Sequence, residues 1–146
     1  MERTSFEGMR CSVAQCLEVI GDWWTMLVIR DAFRGVSRFD ALQARLGIAR
    51  NVLAHRLAKL VGAGVLEKRK YQDNPPRYDY VLTDKGRDLW PVLVAMRQWG
   101  DRYAAPHGPP QRVAHKACGK TAKLVLTCEE CGERVDSGDV RVQPAR

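Results

Sequence analysis

The chain contains no apolar run near the ~18 residues that a bilayer-spanning helix requires. A membrane role is therefore not expected. The opening MERTSFEGMR has neither an apolar core nor a small-residue cleavage site, so no secretory leader is read and a cytoplasmic location is expected. Catalytic signatures are missing as well. There is no glycine-rich phosphate loop, no Ser/His/Asp grouping and no metal pattern with an open position, so an enzyme is not expected. Acidic side chains are scarce in one stretch. Between Arg34 and Lys70 only Asp40 and Glu67 are acidic, against nine basic residues. That stretch carries +7, which is the whole net charge of the 146-residue chain. Positive charge gathered on one element is the footprint of polyanion binding, although a solvated basic face would read the same from charge alone.

A hydrophobic fraction of 45% at this length supports one small globular domain with a short appendix. The expected class is mainly α with a small β-wing. Residues 1–105 form the main domain, and residues 106–146 form a linker and a small β-rich extension. The first ten residues show no period and read as a loose arm. Val13, Cys16, Leu17 and Ile20 recur at helical spacing, with Ser12 as N-cap and Gly21 as the stop. Asp22 caps a second helix, Trp23 to Phe33, so apolar that burial on nearly all sides is expected. Its tryptophans read as core, with a ligand pocket lined by Trp23, Trp24 and Tyr103 as the alternative.

The stretch from Phe39 to Leu82 organises the rest. A third helix, Phe39 to Leu46, points Phe39, Leu42 and Leu46 inward, and Gly47 makes the turn. A fourth, Arg50 to Ala63, buries Leu53, Leu57, Leu60 and Val61. Its opposite side carries Asn51, His55, Ala58, Lys59 and Gly62. Small residues there permit close approach to a groove, and Asn and Lys side chains can donate to base edges. Arg50 stands at the helix start, where an anion is already favoured. Arg56 flanks the buried stripe, and its position suits a salt bridge as well as a DNA contact. Two strands follow, Val65 to Tyr71 and Arg77 to Leu82, with Pro75 and Pro76 at the tip because neither can donate to a ladder. Lys68, Arg69, Lys70 and Arg77 make this hairpin basic, suited to the phosphate backbone. With Arg38 in the link before the third helix, these are the candidate DNA-binding residues: Arg38, Arg50, Asn51, His55, Lys59, Lys68, Arg69, Lys70 and Arg77.

Thr83 caps a fifth helix running to Tyr103 and kinked by Pro91. Its stripe of Leu89, Val92, Leu93, Met96, Trp99 and Tyr103 is too long for one small core. A homodimer pairing through the first and last helices is expected, since twofold symmetry suits a palindromic operator on double-stranded DNA.

These residues resemble the HxlR-type winged helix–turn–helix transcriptional regulators of bacteria, over roughly Cys11 to Tyr103. The matching pieces are Cys11-Ser-Val-Ala, Ile20-Gly-Asp-Trp-Trp-Thr-Met-Leu, Arg38-Phe-Asp-Ala-Leu and Val52-Leu-Ala-His-Arg-Leu-Ala-Lys-Leu. Gly64-Val-Leu-Glu-Lys-Arg, Pro75-Pro-Arg-Tyr-Asp-Tyr-Val-Leu-Thr and Trp99-Gly-Asp-Arg complete the set. The resemblance implies a dimeric DNA-binding regulator, often a repressor, in some members answering electrophiles or oxidants through a cysteine placed like Cys11. That makes Cys11 the redox-sensing candidate, and a small-molecule or electrophile inducer a candidate partner. The residues themselves leave Cys11 open as thiolate or as small buried hydrophobe, while Cys16 reads as core. Relatives often have Cys-Pro where this chain has Cys11-Ser12. They commonly open the recognition helix with Ser-Pro and a basic residue, where this chain has Ala49-Arg50-Asn51. An operator sequence is therefore not carried over.

Five cysteines without a leader point to thiol or metal chemistry, not to a disulfide framework. Beyond the linker Ala104 to Pro110 lie His115-Lys-Ala-Cys118-Gly119 and Cys128-Glu-Glu-Cys131-Gly132. This resembles a small zinc ribbon, with strands expected at Lys123 to Thr127 and Arg134 to Val142. Its candidate ligands are His115, Cys118, Cys128 and Cys131, with His107 as a substitute for His115. Four protein ligands would make the zinc structural. The alternative is a metal-free hairpin with reduced thiols.

Overall fold

The structure is a computed structural model and describes residues 5–145. Helices α1 (Ser12–Ile20), α2 (Trp23–Phe33), α3 (Phe39–Leu46) and α4 (Arg50–Gly62) precede a hairpin of β1 (Leu66–Asp73) and β2 (Pro76–Leu82). Then come α5 (Asp84–Arg87), α6 (Trp90–Tyr103) and a short 3-10 turn (Ser137–Asp139). Among the described residues the one sheet is this two-stranded antiparallel hairpin. Contacts divide the chain into two units, one running to Leu93 and one from Val94. No helix of the described residues is long and apolar enough to cross a membrane.

The first unit is built around α2 and α4. Val28 and Ile29 of α2, Leu42 of α3, and Leu53, Leu57 and Leu60 of α4 are fully buried, with Val65 and Leu66 closing the core beside them. Asp22 caps α2 by accepting from the Trp24 N–H at 3.0 Å. Gly47 ends α3 in the left-handed region, at φ 67°, where a side chain would be strained. Thr83 caps α5, its hydroxyl accepting from the Gly86 N–H at 3.1 Å.

The same unit also buries a carboxylate. Asp31 has no solvent exposure and pairs with Arg30 at 3.0 Å, with Arg45 at 3.4 Å and with Arg34 at 3.9 Å. Burial alone would raise its carboxyl, but hydrogen bonds and charge from Arg30 and Arg45 outweigh burial and hold it below the usual carboxylate range. The cluster ties α2 to α3 and so fixes the base on which α4 rests.

Several expectations are corrected. Residues 1–4 of the expected loose arm lie outside the described residues. The rest of that arm is held to α1: the Gln15 side-chain amide donates to the carbonyls of Phe6 and Met9, each at 2.9 Å, and the Phe6 N–H donates to Glu18. The N-cap of α1 is Cys11, not Ser12, because Cys11 keeps the extended backbone and Ser12 already turns into the helix. Cys16 is exposed, as are Val13 and Leu17, so of the expected stripe on α1 Ile20 alone lies in the core. Trp23 is 88% exposed, against the expected burial of α2 on nearly all sides. Trp24 is half-buried against the core.

The long fifth helix is two helices, α5 and α6, parted by Asp88 and Leu89. Proline has no N–H, and its ring crowds the carbonyl four residues back, so the helix stops at Arg87 and restarts with Pro91 in a first turn, where proline is tolerated. Leu89 and Leu93 pack on this unit's own core, and the Trp90 ring meets Phe33 at 5.3 Å.

In the second unit the strands expected at residues 123–127 and 134–142 do not form. The backbone of Leu124 is occupied by the Gln98 side chain, which accepts from its N–H and donates to its carbonyl at 3.1 Å. Two tight hairpins form instead, each with one bridge, Ala114 to Thr121 and Thr127 to Arg134. The expected β-rich appendix is therefore two small loops of irregular backbone.

Candidate nucleic-acid interface

Helix α4 buries one side and leaves the other to solvent. Asn51, Ala54, His55, Ala58 and Gly62 are exposed, and Lys59 is half-buried beside them. Ala54 is an addition to the expected face. It lies one turn from Asn51 and Ala58, and its small side chain keeps the surface low between Asn51 and His55. A helix with short side chains along its exposed line, and polar ones beside them, can enter a major groove without a steric barrier.

Not every basic residue of the charged stretch is available to a polyanion. Arg34 and Arg45 are partly exposed and are paired with the buried Asp31. Arg56 stands 2.7 Å from Asp22, off the hydrogen-bonding axis, with both side chains about four-fifths buried, so its role is to lock α4 to the start of α2. Of the two readings left open for Arg56, the structure supports the salt bridge. Arg50 pairs with Asp40 at 3.2 Å and lies over the Phe39 ring at 4.6 Å, at the exposed start of α4.

Arg38 pairs with Asp79 at 3.6 Å and stacks on the Tyr71 ring at 4.2 Å. Register explains the stacking. The ladder pairs Lys70 with Tyr78 and Gln72 with Arg77, and the irregularity between them leaves Tyr71 outside the pairing. Ser37 donates to Asp79 at 2.9 Å, and the Tyr80 N–H donates to the Ser37 carbonyl at 2.7 Å. The link before α3 is thereby bound to β2, which fixes the wing relative to the helices.

Lys68, Arg69, Lys70 and Arg77 are exposed on the wing. Lys68 lies over the Tyr78 ring at 4.2 Å, Arg69 pairs with Glu67 at 3.0 Å, and Lys70 with Asp73 at 3.6 Å. Exposed pairs of this kind are worth about 0–1 kcal/mol and exchange readily for phosphate. The nine candidates thus divide into three on the exposed side of α4 (Asn51, His55, Lys59), two anchored at α3–α4 and the link (Arg50, Arg38), and four on the wing. Sequence reasoning missed the partners Asp79, Asp40 and Asp22, because pairing between distant segments leaves no local pattern.

Elsewhere, Val92, Met96, Trp99 and Tyr103 present exposed apolar surface on α6, with the Trp99 and Tyr103 rings at 5.4 Å. A cleft of about 340 Å³ is lined by Ala32, Phe33, Ser37, Tyr80, Leu82 and Arg87 among others. Trp23, Trp24 and Tyr103 are not among the residues that line it.

The cysteines lie in two places. Cys11 and Cys16 are exposed on α1 and its cap. In the second unit Cys118 stands 3.5 Å from His115, and Cys128 is beside Cys131. The N–H groups of Cys131 and Glu130, with the Cys131 side chain, hold the Cys128 thiol below its ordinary range. Among the described residues no three His, Cys, Asp or Glu side chains are grouped so as to hold a metal ion.

Comparison with known proteins agrees with the helix–turn–helix and wing. The HxlR-like helix-turn-helix family matches residues 19–108. An HTH-type transcriptional regulator of Mycobacterium tuberculosis (strain ATCC 25618 / H37Rv) is 43% identical over 140 residues, covering 95% of this chain and 87% of its own. The solved structure of PA1607, assigned as a transcription factor, is 41% identical with a TM-score of 0.86 and covers 97% of this chain and 100% of its own. Both matches therefore extend into the C-terminal unit. The redox regulator HypR in its oxidized form is 29% identical with a TM-score of 0.60, over 65% of this chain and 99% of its own. The exposed polar face of α4, the basic wing beside it and these matches lead to one conclusion: the chain belongs to the HxlR-like helix-turn-helix family of transcriptional regulators, which are not enzymes.

Proposed function

We propose that the protein is a bacterial repressor that binds a palindromic operator as a homodimer in the cytoplasm. The observation that carries this reading is the exposed face of α4, low and polar, next to a hairpin whose basic side chains face solvent. Asn51, His55 and Lys59 would meet base edges, while Lys68, Arg69, Lys70 and Arg77 would neutralise phosphates. Arg38 and Arg50 would reach the backbone by leaving Asp79 and Asp40. Helices α1 and α6 would pair with those of a second copy. Val13 and Leu17 on α1 and Val92, Met96, Trp99 and Tyr103 on α6 support this, because each is an exposed large apolar side chain.

Fluorescence anisotropy with DNA from upstream of the protein's own gene, against a scrambled duplex across a salt series, tests it. A complex with the upstream DNA that outlasts the scrambled one as salt rises supports the repressor reading. Equal, steeply salt-sensitive binding to both would reduce it to a basic surface.

A second reading is favoured by Cys11, which is exposed at the first turn of α1. There a thiol-reactive inducer could reach it, and modification would act on a helix assigned to the dimer. Diamide should release DNA from the parent and not from Cys11→Ser. Equal release from both would remove Cys11 from the account.

A further inference from the structure

The C-terminal unit contains the same turn twice. His115 and Cys128, thirteen positions apart, each begin one. The His115 N–H donates to the Lys120 carbonyl at 2.8 Å, and the Cys128 N–H to the Glu133 carbonyl at 2.8 Å. The Gly119 N–H returns to His115 at 2.7 Å, and the Gly132 N–H to Cys128 at 2.8 Å. Both glycines take positive φ, 67° and 74°, so the chain can reverse at that point only with difficulty if a side chain is present. The flanking bonds repeat too, from the Ala122 N–H to Val113 at 2.8 Å and from the Val135 N–H to Leu126 at 3.0 Å. Each turn holds two soft donors three residues apart: His115 with Cys118, and Cys128 with Cys131.

We propose that these turns are two halves of one structural zinc site, closed when the cation draws His115, Cys118, Cys128 and Cys131 into a tetrahedron. Three thiolates and an imidazole are a donor set that suits Zn²⁺ and leaves no position open for catalysis, whereas Ca²⁺ and Mg²⁺ call for oxygen ligands. The tips are also complementary in charge. Lys116 and Lys120 flank the first pair, and Glu129, Glu130 and Glu133 flank the second. Only the nine residues 119–127 separate Cys118 from Cys128, which keeps both tips within reach on one chain. From Val94 on, no described side chain is buried, and Val125, Leu126, Val140 and Val142 are exposed. A small unit without a core is the kind that a metal typically holds together, so binding and folding of this unit should be coupled.

The test uses full-length protein purified under reducing conditions. One zinc per chain is expected, replaceable by Co²⁺ with the visible absorption of a tetrahedral thiolate complex. Two of the five thiols, Cys11 and Cys16, should react at once with a thiol reagent, and three only after chelation. Cys118→Ser and Cys131→Ser should each weaken Co²⁺ binding more than the roughly 10–100-fold typical of losing an outer partner. Cys16→Ser should bind like the parent, which guards against a variant that merely misfolds. Four results would overturn the proposal: no metal bound at equimolar Co²⁺, one metal per two chains, unchanged binding in both ligand variants, or a Cys128–Cys131 disulfide in the reduced preparation. No DNA enters this measurement, so its failure and failure of the repressor reading are separate events.

Discussion

Up to Leu93 the chain buries Val28, Ile29, Leu53, Leu57 and Leu60 in one apolar core, whereas from Val94 on no described side chain is buried. In the first unit apolar burial fixes the elements and polar groups adjust their angles. In the second, hydrogen bonds of the backbone repeat a turn and the side chains remain at the surface. The contrast separates two means of specifying structure within 146 residues. A packed core tolerates a change of surface and resists a change of volume, while a unit without a core should behave the other way round.

Leu57→Ala is the strongest way to break the first unit. It removes a side chain that is 1% exposed at the centre of α4 and should cost about 3–5 kcal/mol in urea unfolding, leaving metal stoichiometry unchanged. Asp31→Asn should cost about 3 kcal/mol, less than the upper range for a broken buried pair because the three arginines are partly exposed. Its pH dependence has a fixed sign. The folded carboxyl lies below its ordinary range, so its contribution is present above the unfolded value and is lost as pH falls through the lower folded value. Stability of the parent should therefore decline more steeply on acidification than that of the variant, and equal slopes would remove Asp31 as an ionised anchor. Gly86→Ala places a Cβ 2.2 Å from the Val65 carbonyl oxygen and should cost about 1–3 kcal/mol, read as a lowered melting temperature. Val142→Ser sharpens the comparison from the other side. That side chain is fully exposed, and the change should stay within about 0.5 kcal/mol by the same melt.

The helical spacing of Leu53, Leu57 and Leu60 made α4 legible from sequence, and with it the exposed line of Asn51, His55 and Lys59. The caps Asp22 and Thr83 were legible because a short polar side chain before an apolar run has few other uses. Trp23 and Cys16 were misread for one physical reason: apolar residues at helical spacing look the same in sequence whether they face the core or the surface. Pro91 was misplaced because local pattern does not distinguish a kinked interior from a new first turn. Asp31 was silent, since a carboxylate gathers Arg30, Arg34 and Arg45 only once α2 and α3 are packed. The paired turns of the second unit were visible in the spacing of His115, Cys118, Cys128 and Cys131. The failure of its strands was not, because Gln98 takes the backbone of Leu124 from a distant position.

The division of labour between α4 and the wing is tested most directly by the ratio of operator to scrambled-DNA affinity in two double variants. Asn51→Ala with His55→Ala should collapse that ratio by at least about tenfold while scrambled binding stays near the parent's. Lys68→Ala with Arg77→Ala should weaken both duplexes alike and flatten the salt slope by about 2. An unchanged ratio in the helix variant, or a ratio lost only in the wing variant, would contradict the assignment of α4 as the reading helix.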